Sequence, residues 1–303
     1  MGILSERQYF MKNTKGSLIL LLTAFIWGTA FVAQDVGMDH IKPFTFNCIR
    51  NFVGALALLP VIFVMGKMKK EKAEEDKKAL WMGGVSCGIV LAVASTLQQV
   101  GIQYTTSGKA GFITALYIIF VPLFSLFTKK KPKPTIWISV LLAVVGMYLL
   151  CVKESLTINR GDFYIFLCAI AFTFHIMVID HFSPKVDGVK MSCIQFFVCG
   201  VASLMPMFLF ETATMKGMIL SVGPLLYAGV LSSGVAYTLQ IIGQKNVNPA
   251  IASLILSLES CFAVLAGWLV LGQSLSFRES VGCILMFTAI ILAQLPEKEK
   301  NHN

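Results

Sequence analysis

Ten apolar runs of membrane-spanning length account for most of this chain. A helix of about 20 residues crosses the hydrocarbon layer of a bilayer. Runs of about that length recur at residues 17–37, 44–66, 79–102, 106–128, 135–152, 161–182, 189–210, 221–244, 249–271 and 276–295. The composition agrees, since 56% of the 303 residues are hydrophobic and only 14% are charged. The runs are continuous rather than alternating, which excludes a transmembrane β-barrel. We therefore expect an all-α integral membrane protein with ten transmembrane helices.

The positive charges predict how these helices are oriented. Loops that would face the cytoplasm hold 18 lysines and arginines, starting with Arg7, Lys12 and Lys15, whereas loops that would face outward hold five. Cytoplasmic loops of membrane proteins are enriched in these residues. Both termini are therefore expected in the cytoplasm, in a multi-pass protein of the cytoplasmic membrane without a cleaved signal peptide. The same loops explain the net charge of +9, so no nucleic-acid partner is expected.

The cysteines and histidines do not have the spacing of a metal site. All eight cysteines lie inside or at the ends of predicted spans, and none forms a C-x-x-C motif. The chain also lacks a glycine-rich phosphate loop, a nucleophile elbow and an H-E-x-x-H motif. The sequence therefore predicts no metal, no cofactor and no enzymatic activity.

The second half of the chain repeats the first. Three pairs of segments align at nearly constant spacing: LTAFIWGTAFVAQDVG (22–37) with LCAIAFTFHIMVIDHF (167–182), NCIRNFV (47–53) with SCIQFFV (192–198), and STLQQVG (95–101) with YTLQIIG (237–243). The repeats are residues 1–152 and 161–295, with five predicted spans each. Because five is odd, the second repeat would enter the membrane in the opposite orientation. Secondary transporters are built from such inverted repeats, with a central site between the halves.

Three pieces of this sequence carry a more specific resemblance. They are Trp27-Gly28 together with Arg50, the run YTTSGKAGFITALYIIFVPL (104–123), and the run TLQIIGQKNVNPAIASLILSLESCFAVLAGWLVLGQ (238–273). With the paired five-helix halves, they resemble EamA-type permeases of the drug/metabolite transporter superfamily over nearly the whole chain. The resemblance implies ten helices, cytoplasmic termini and the movement, commonly the export, of small metabolites.

Glu259 lies in the middle of the ninth predicted span, where a charge is unfavourable. A charged side chain at the centre of a membrane helix costs about 3 kcal/mol unless it is paired, hydrated or protonated. Ala263 and Ala266 follow it at helical spacing, so another helix can approach closely and Glu259 should face the bundle. It is a candidate substrate or proton site, and the alternative is a structural or gating role. Ser260 stands where the family usually has a proline, which removes the usual cause of a kink beside Glu259.

Arg50 lies about two turns into the second predicted span, on a polar stripe that includes Asn47. One interpretation is a salt bridge with Asp35, at the same membrane level. The other is that Arg50 faces a cavity and binds an anionic or carboxylate group, for which guanidinium geometry is suited. Its counterpart in the second repeat is Gln195, so the predicted site is asymmetric and could distinguish the two ends of a substrate.

Three further residues are candidates for the central cavity. Gln98 and Gln240 occupy equivalent positions in the third and eighth spans, and amides can bind polar substrates or join helices. Trp27 lies mid-span, too deep to be an interfacial anchor, so it is either cavity wall or packing. We place all three at the predicted substrate site, beside Glu259 and Arg50.

The fourth and sixth predicted spans contain candidates for gating and for packing. Pro122 would bend the fourth helix, and Gly111 lies on a smooth face suited to close helix contact, so we assign both to gating. His175 in the sixth span is interpreted as a packing residue, with a proton relay through Asp180 as the alternative.

These features predict a secondary transporter: a permease that exports small metabolites by alternating access, with proton coupling as an open question. An intramembrane enzyme acting on a lipid or isoprenoid would need paired catalytic groups at one depth, and none is evident. A passive channel would not explain duplicated halves with asymmetric polar content. The expected partners are a small-molecule substrate and the lipid bilayer, with protons and a second copy of the chain as further candidates.

Overall fold

The structure, a computed structural model, is a bundle of helices joined by turns. It describes residues 2–68, 76–105, 107–128, 132–152, 159–212, 214–271 and 276–295, and these ranges contain no strand. Eight helical segments within them are long and apolar enough to cross a membrane: Pro43–Lys67, Lys77–Ile102, Pro134–Cys151, Arg160–Phe182, Gly188–Phe210, Val222–Gln244, Pro249–Ala266 and Phe277–Gln294. The prediction of an all-α, multi-pass membrane protein is confirmed, and the count of ten spans stays a prediction.

The helical segments have the following bounds. In chain order they are α1 (Gly2–Met38), α2 (Pro43–Met68), α3 (Lys77–Ile102), α4 (Ser107–Thr114), α5 (Tyr117–Ser125), α6 (Pro134–Cys151), α7 (Arg160–Phe182), α8 (Gly188–Phe210), α9 (Met215–Leu220), α10 (Val222–Leu226), a π-helix (Tyr227–Tyr237), α11 (Thr238–Gln244), α12 (Pro249–Leu256), α13 (Glu259–Leu271) and α14 (Phe277–Gln294). The first predicted run, 17–37, therefore lies within a longer helix that begins at Gly2.

Two of the predicted spans are interrupted near their middles. The run 106–128 is divided between α4 and α5, and the run 249–271 between α12 and α13, directly before Glu259. The second interruption occurs although Ser260 is not a proline. At this break the Ser257 hydroxyl donates to the Leu254 carbonyl oxygen over 2.7 Å, and Leu258 N–H bonds the nearer carbonyl of Ile255. Such local bonds tighten and bend a helix.

Short polar caps determine where several helices begin. Capping boxes start α7 at Asn159 and Asp162, and start α14 at Ser276 and Glu279. The start of α2 is capped from another helix, since the Glu211 carboxylate at the end of α8 accepts from the backbone N–H groups of Phe44 at 2.9 Å and Thr45 at 2.7 Å. We call this side of the bundle the Glu211 end.

Helix packing brings the two halves of the chain together. The helix α2 packs on α8, α3 packs on α7 and α8, and α6 packs on α14. The helix α1 contacts the π-helix, α11 and α13, and at the end of the bundle opposite the Glu211 end its Gly16 lies against Gly243 of α11. Large apolar side chains such as Phe63 and Phe208 stay exposed on the outside, as expected where the solvent is lipid.

Candidate functional site

A cavity in the centre of the bundle is bordered by polar and aromatic side chains from both halves of the chain. The cavity is open on one side, and its empty space together with the solvent at its mouth is about 590 Å³. The structure brings five of the seven predicted site residues to its wall: Trp27, Arg50, Gln98, Gln240 and Glu259. The other two, Asn47 and Gln195, are buried but are not part of this wall. Their roles in transport, like those of the five, stay predictions.

The cavity wall also contains residues that the sequence reasoning missed, chiefly Tyr117 and Phe172. The internal repeat held the signal that could have found them. Phe172 aligns with Trp27 in the repeat. Tyr117 precedes Glu259 by the same number of residues as Gln98 precedes Gln240, so these two residues are also equivalent. The alignment of the first and sixth spans already pairs Phe172 with Trp27, and extending it through the fourth and ninth spans would have paired Tyr117 with Glu259.

Glu259 is the first residue of α13, immediately after the interruption of its span. The described residues offer its carboxylate no hydrogen-bond or ion-pair partner, and it borders the cavity. The first turn of a helix carries a partial positive charge that favours an anion. The helix α1 reaches this turn because Gly28 has no side chain: a Cβ there would lie 2.6 Å from the Glu259 carbonyl oxygen.

Arg50 borders the cavity with only part of its hydrogen-bonding capacity used. Its Nη1 donates to Gln34 Oε1 over 3.0 Å, and that same oxygen accepts from Gln99 Nε2 over 3.0 Å. The Nε atom is buried without a partner. The side chain of Asp35, the predicted ion-pair partner, lies outside the described residues, and no described carboxylate forms an ion pair with Arg50. A neutral amide cannot neutralise a guanidinium, so the cavity contains a positive charge.

His175 packs in the core, as the sequence suggested, and also borders the cavity. Its ring contacts those of Phe172 and Tyr237, with centroids 6.4 and 5.8 Å away. Its Nε2 forms a hydrogen bond with the Gln195 side-chain amide, 2.9 Å from Oε1. The other ring nitrogen, Nδ1, is buried without a hydrogen-bond partner. Gln195 is thus connected to the cavity wall through His175.

Asn47 and Asp180 lie away from the cavity wall. Asn47 is fully buried, its amide side-chain atoms have no hydrogen-bond partner, and its backbone carbonyl accepts from Asn51 Nδ2 over 2.7 Å. Asn47 therefore does not lie at the substrate position that the sequence suggested. Asp180 does not join His175 on the cavity wall either.

The π-helix forms part of the cavity wall through Ser232 and Tyr237. The indole of Trp27 on α1 bonds it, since Trp27 Nε1 donates to the Ser232 carbonyl over 3.2 Å. The Thr23 hydroxyl lies 3.4 Å from the Ala236 carbonyl, but it is nearer to the Ile19 carbonyl of its own helix, at 3.0 Å. The Trp27 and Tyr237 rings pack with centroids 4.6 Å apart. No sequence pattern distinguishes a π-helix from an α-helix, so this feature was not predicted, yet such segments occur frequently at functional sites.

Replacing the Trp27 indole should therefore affect both stability and binding. In Trp27→Phe the ring stacking remains, but the hydrogen bond from the indole to the Ser232 carbonyl is lost, which costs about 0.5–1.5 kcal/mol. We expect a lower melting temperature in detergent and weaker ligand binding, measured by size exclusion after heating and by equilibrium binding. The matched control is Trp81→Phe, because Trp81 on α3 is 60% exposed. A Trp27→Phe protein as stable as this control would contradict the role of the indole N–H.

The two residues assigned to gating flank the interruption between α4 and α5. Gly111 lies within α4 and Pro122 within α5, whereas the helix breaks at Ala115 and Leu116. A Cβ at Gly111 would meet only ordinary contacts, the nearest being Ser260 Oγ at 3.9 Å, so no close helix contact requires glycine there. The gating role of both residues stays a prediction.

Comparison with known proteins gives a consistent result. The EamA-like transporter family matches residues 14–152 and, separately, residues 159–295. The chain is 32% identical over 286 residues to an uncharacterized transporter of Archaeoglobus fulgidus, covering 94% of this chain and 87% of that protein. It is 25% identical over 288 residues to the uncharacterized transporter YoaV of Bacillus subtilis, covering 92% and 96%. A crystal structure with 15% identity superimposes with a TM-score of 0.77, over 92% of this chain and 96% of that one, which shows a shared fold.

Proposed function

We propose that this membrane transporter, which belongs to the EamA-like transporter family, exports small polar metabolites through the central cavity by alternating access. The observation that carries the proposal is the placement of Arg50 and Glu259 on one cavity wall, where no described side chain neutralises either. Charged residues inside membranes are rare and mark substrate or ion pathways. A polar substrate would supply the missing partners.

The proposed architecture is ten spans in two inverted repeats of five, residues 1–152 and 161–295. Helix contacts support it, because the packing of α3 on α7 has its counterpart in the packing of the π-helix and α11 on α1. The cavity supports it too, since equivalent residues face it in pairs: Trp27 with Phe172, Gln98 with Gln240, and Tyr117 with Glu259. A pseudo-two-fold axis through the cavity would explain both patterns.

The two interrupted spans support alternating access. The breaks between α4 and α5 and between α12 and α13 occupy equivalent positions in the two repeats. Broken helices near the bilayer midplane are typical of transporter binding sites. We propose that the segments on either side of each break tilt in turn, with Gly111 and Pro122 as part of the moving span, so that the cavity opens to one face at a time.

The proposed orientation follows the charge distribution. The Glu211 end would face outward. The opposite end of the bundle, where Gly16 lies, would face the cytoplasm together with both termini. Glu259 is the proposed proton-coupling group, because its carboxylate borders the cavity without a described partner and could exchange a proton for substrate. The proposed location is the cytoplasmic membrane.

Counterflow in proteoliposomes tests this function directly. Purified protein is reconstituted, the vesicles are loaded with unlabelled candidate metabolite, and uptake of trace labelled metabolite is followed. A transporter is expected to show saturation and a transient overshoot that depends on the internal load. A channel would show neither, and an enzyme would return a chemically altered compound, so either result would overturn the proposal. Protein-free liposomes serve as the control.

Arg50→Met is expected to abolish substrate binding while preserving folding. Its only described side-chain hydrogen bond is to Gln34, and Gln34 Oε1 still accepts from Gln99 when the arginine is removed. The folded yield by size exclusion should therefore match the wild type, and the binding signal should fall below detection. Arg278→Met is the control, because Arg278 stacks on Tyr148 away from the cavity. Normal binding with a poor folded yield would indicate a structural role for Arg50 instead.

A further inference from the structure

We infer that two glycine crossings between the halves of the chain are fixed pivots, which stay closed while the rest of the bundle changes shape. At the first crossing Gly16 of α1 lies against Gly243 of α11, and at the second Gly161 of α7 lies against Gly101 of α3. We call them the first crossing and the second crossing. The inference depends on the proposed function, since it takes the cavity to open by alternating access.

The two crossings occupy equivalent positions of the repeat. Gly161 follows Gly16 by the same number of residues by which Ser192 follows Asn47 in the aligned segments SCIQFFV and NCIRNFV. Gly101 and Gly243 are the last residues of another aligned pair, STLQQVG and YTLQIIG. Each crossing therefore joins one half of the chain to the other, and the repeat exchanges the first crossing with the second.

The backbone distances at the two crossings agree. A Cβ on Gly16 would lie 2.7 Å from the Gly243 carbonyl oxygen, and a Cβ on Gly161 would lie 2.7 Å from the Gly101 carbonyl oxygen. In the reverse direction, a Cβ on Gly243 or on Gly101 would lie 3.1 Å from the carbonyl oxygen of the opposite glycine. Small residues let helix backbones approach this closely. With no side chain between the backbones, one helix can tilt on the other without losing the contact.

The crossings lie at opposite ends of the bundle. The first crossing is at the end opposite the Glu211 end. The helix α3 begins beside the start of α8, since a Cβ on Gly84 would lie 3.3 Å from the Met191 carbonyl oxygen. Because Glu211 follows the far end of α8, α3 runs towards the Glu211 end, and the second crossing lies there. A pseudo-two-fold axis in the membrane plane exchanges the two ends in this way.

Equal geometry at equivalent positions identifies contacts that do not have to move. In an inverted-repeat transporter, the two halves exchange conformations when the cavity changes the face to which it opens. A contact that differs between the halves must therefore change between the two states. A contact that is the same in both halves is the same in both states, and the two crossings are of this kind.

Contacts at the interrupted spans are not equal in the two halves. The helix α1 approaches α13 so closely at Gly28 that a Cβ there would lie 2.6 Å from the Glu259 carbonyl oxygen. The equivalent position on α7 is Thr173, whose side chain is fully buried. Threonine carries the Cβ for which there is no room at Gly28, so α7 does not approach its own interrupted span as closely. The halves therefore differ at the interruptions and agree at the crossings.

The agreement between the crossings does not come from identical side chains. Beside the second crossing, Thr105 Oγ1 donates to Asp162 Oδ1 over 2.5 Å. The equivalent residues beside the first crossing are Val247 and Ser17, and a valine has no hydroxyl to donate. The same backbone distance is thus reached with different neighbours, which indicates that the glycine contact itself sets it.

Cross-linking with a short bifunctional methanethiosulfonate, whose disulfide links can be reduced, tests the pivots. The paired variants are Lys15→Cys with Asn246→Cys beside the first crossing, and the equivalent Arg160→Cys with Tyr104→Cys beside the second. All four positions are exposed, whereas the native cysteines are buried or half-buried. Counterflow of each cross-linked pair should stay within about twofold of the reduced protein, because a fixed contact does not have to open. Loss of counterflow that reduction restores would overturn the inference.

A cross-link across a contact that must change is the matched control. Phe25 of α1 and Phe262 of α13 have ring centroids 5.4 Å apart, and α13 belongs to an interrupted span. In the variant Phe25→Cys with Phe262→Cys, the same reagent should abolish counterflow, and reduction should restore it. Undiminished counterflow in this cross-linked variant would show that contacts at the interruptions need not open, and would remove the distinction between fixed and moving contacts.

A variant with all four crossing cysteines tests the pivots without measuring transport. Two fixed contacts exist in the same molecule at the same time, so both links should form together, as counted by peptide mass spectrometry after alkylation of the free thiols. Two gates that open in turn would give one link or the other, and this result would overturn the inference. Both links in a protein that shows no counterflow even when reduced would support the pivots and reject the proposed function.

Discussion

Glu259→Gln is expected to abolish transport while leaving membrane insertion and folded yield unchanged. The substitution preserves the shape of the side chain and removes only its charge. Because the described residues give this carboxylate no hydrogen-bond or ion-pair partner, the substitution breaks no such bond among them. What is lost is the counter-charge for a cationic substrate group or the site of proton exchange. The measurement is the initial rate of counterflow, which should fall to the level of protein-free liposomes if Glu259 binds a cationic substrate group.

The pH dependence of flux distinguishes the two roles of Glu259. If it exchanges a proton for substrate, Glu259→Gln should lose net flux driven by a pH gradient, and any residual exchange should be independent of pH. Glu259→Asp keeps the charge on a shorter side chain and should retain part of the activity. The control is Asp39→Asn, on an exposed turn between α1 and α2. Wild-type flux and pH dependence in Glu259→Gln would reject both roles.

The sequence predicts the helices well because the physical cause is local. An apolar run of about 20 residues must become a helix in lipid, whatever surrounds it. The run around Cys283, for example, is predicted at 276–295 and forms α14 at Phe277–Gln294. The sequence is less informative about where a helix breaks. At the interruption before Glu259 the Ser257 hydroxyl bonds its own helix, but Ser253 does the same within the unbroken α12, so the serine pattern alone does not predict the break.

The candidate site could be predicted in part for a related reason. Glu259, Arg50 and Gln98 were identified because polar residues in an apolar run need a partner, which is visible in one dimension. The partner itself is not visible, since Gln34 rather than a described acid bonds Arg50. His175 was assigned to packing because its hydrogen bond to Gln195 and its open Nδ1 depend on how α7 faces α8. Side-chain pairing across helices is a tertiary property.

Gly28→Ala is expected to destabilise the protein and abolish transport, although it adds a single methyl group. That group would lie 2.6 Å from the Glu259 carbonyl oxygen, 2.6 Å from Phe262 Cβ and 2.9 Å from Ala263 N. Two of these atoms are backbone, so no side-chain rotation can relieve the overlap. The first turn of α13 must move away from α1, and Glu259 moves with it. Forcing extra volume into a packed interface costs typically about 1–3 kcal/mol.

Gly66→Ala is the matched control, because a methyl group at Gly66 would meet no atom within 4 Å. In that helix, alanine should stabilise by up to about 1 kcal/mol, so the same substitution is expected to act in opposite directions at the two positions. Melting temperature in detergent and counterflow rate are measured for both proteins. A second variant, Gly28→Ser, should behave like Gly28→Ala, since any Cβ meets the same backbone atoms. Wild-type melting and flux in Gly28→Ala would show that α1 does not position Glu259 through this contact.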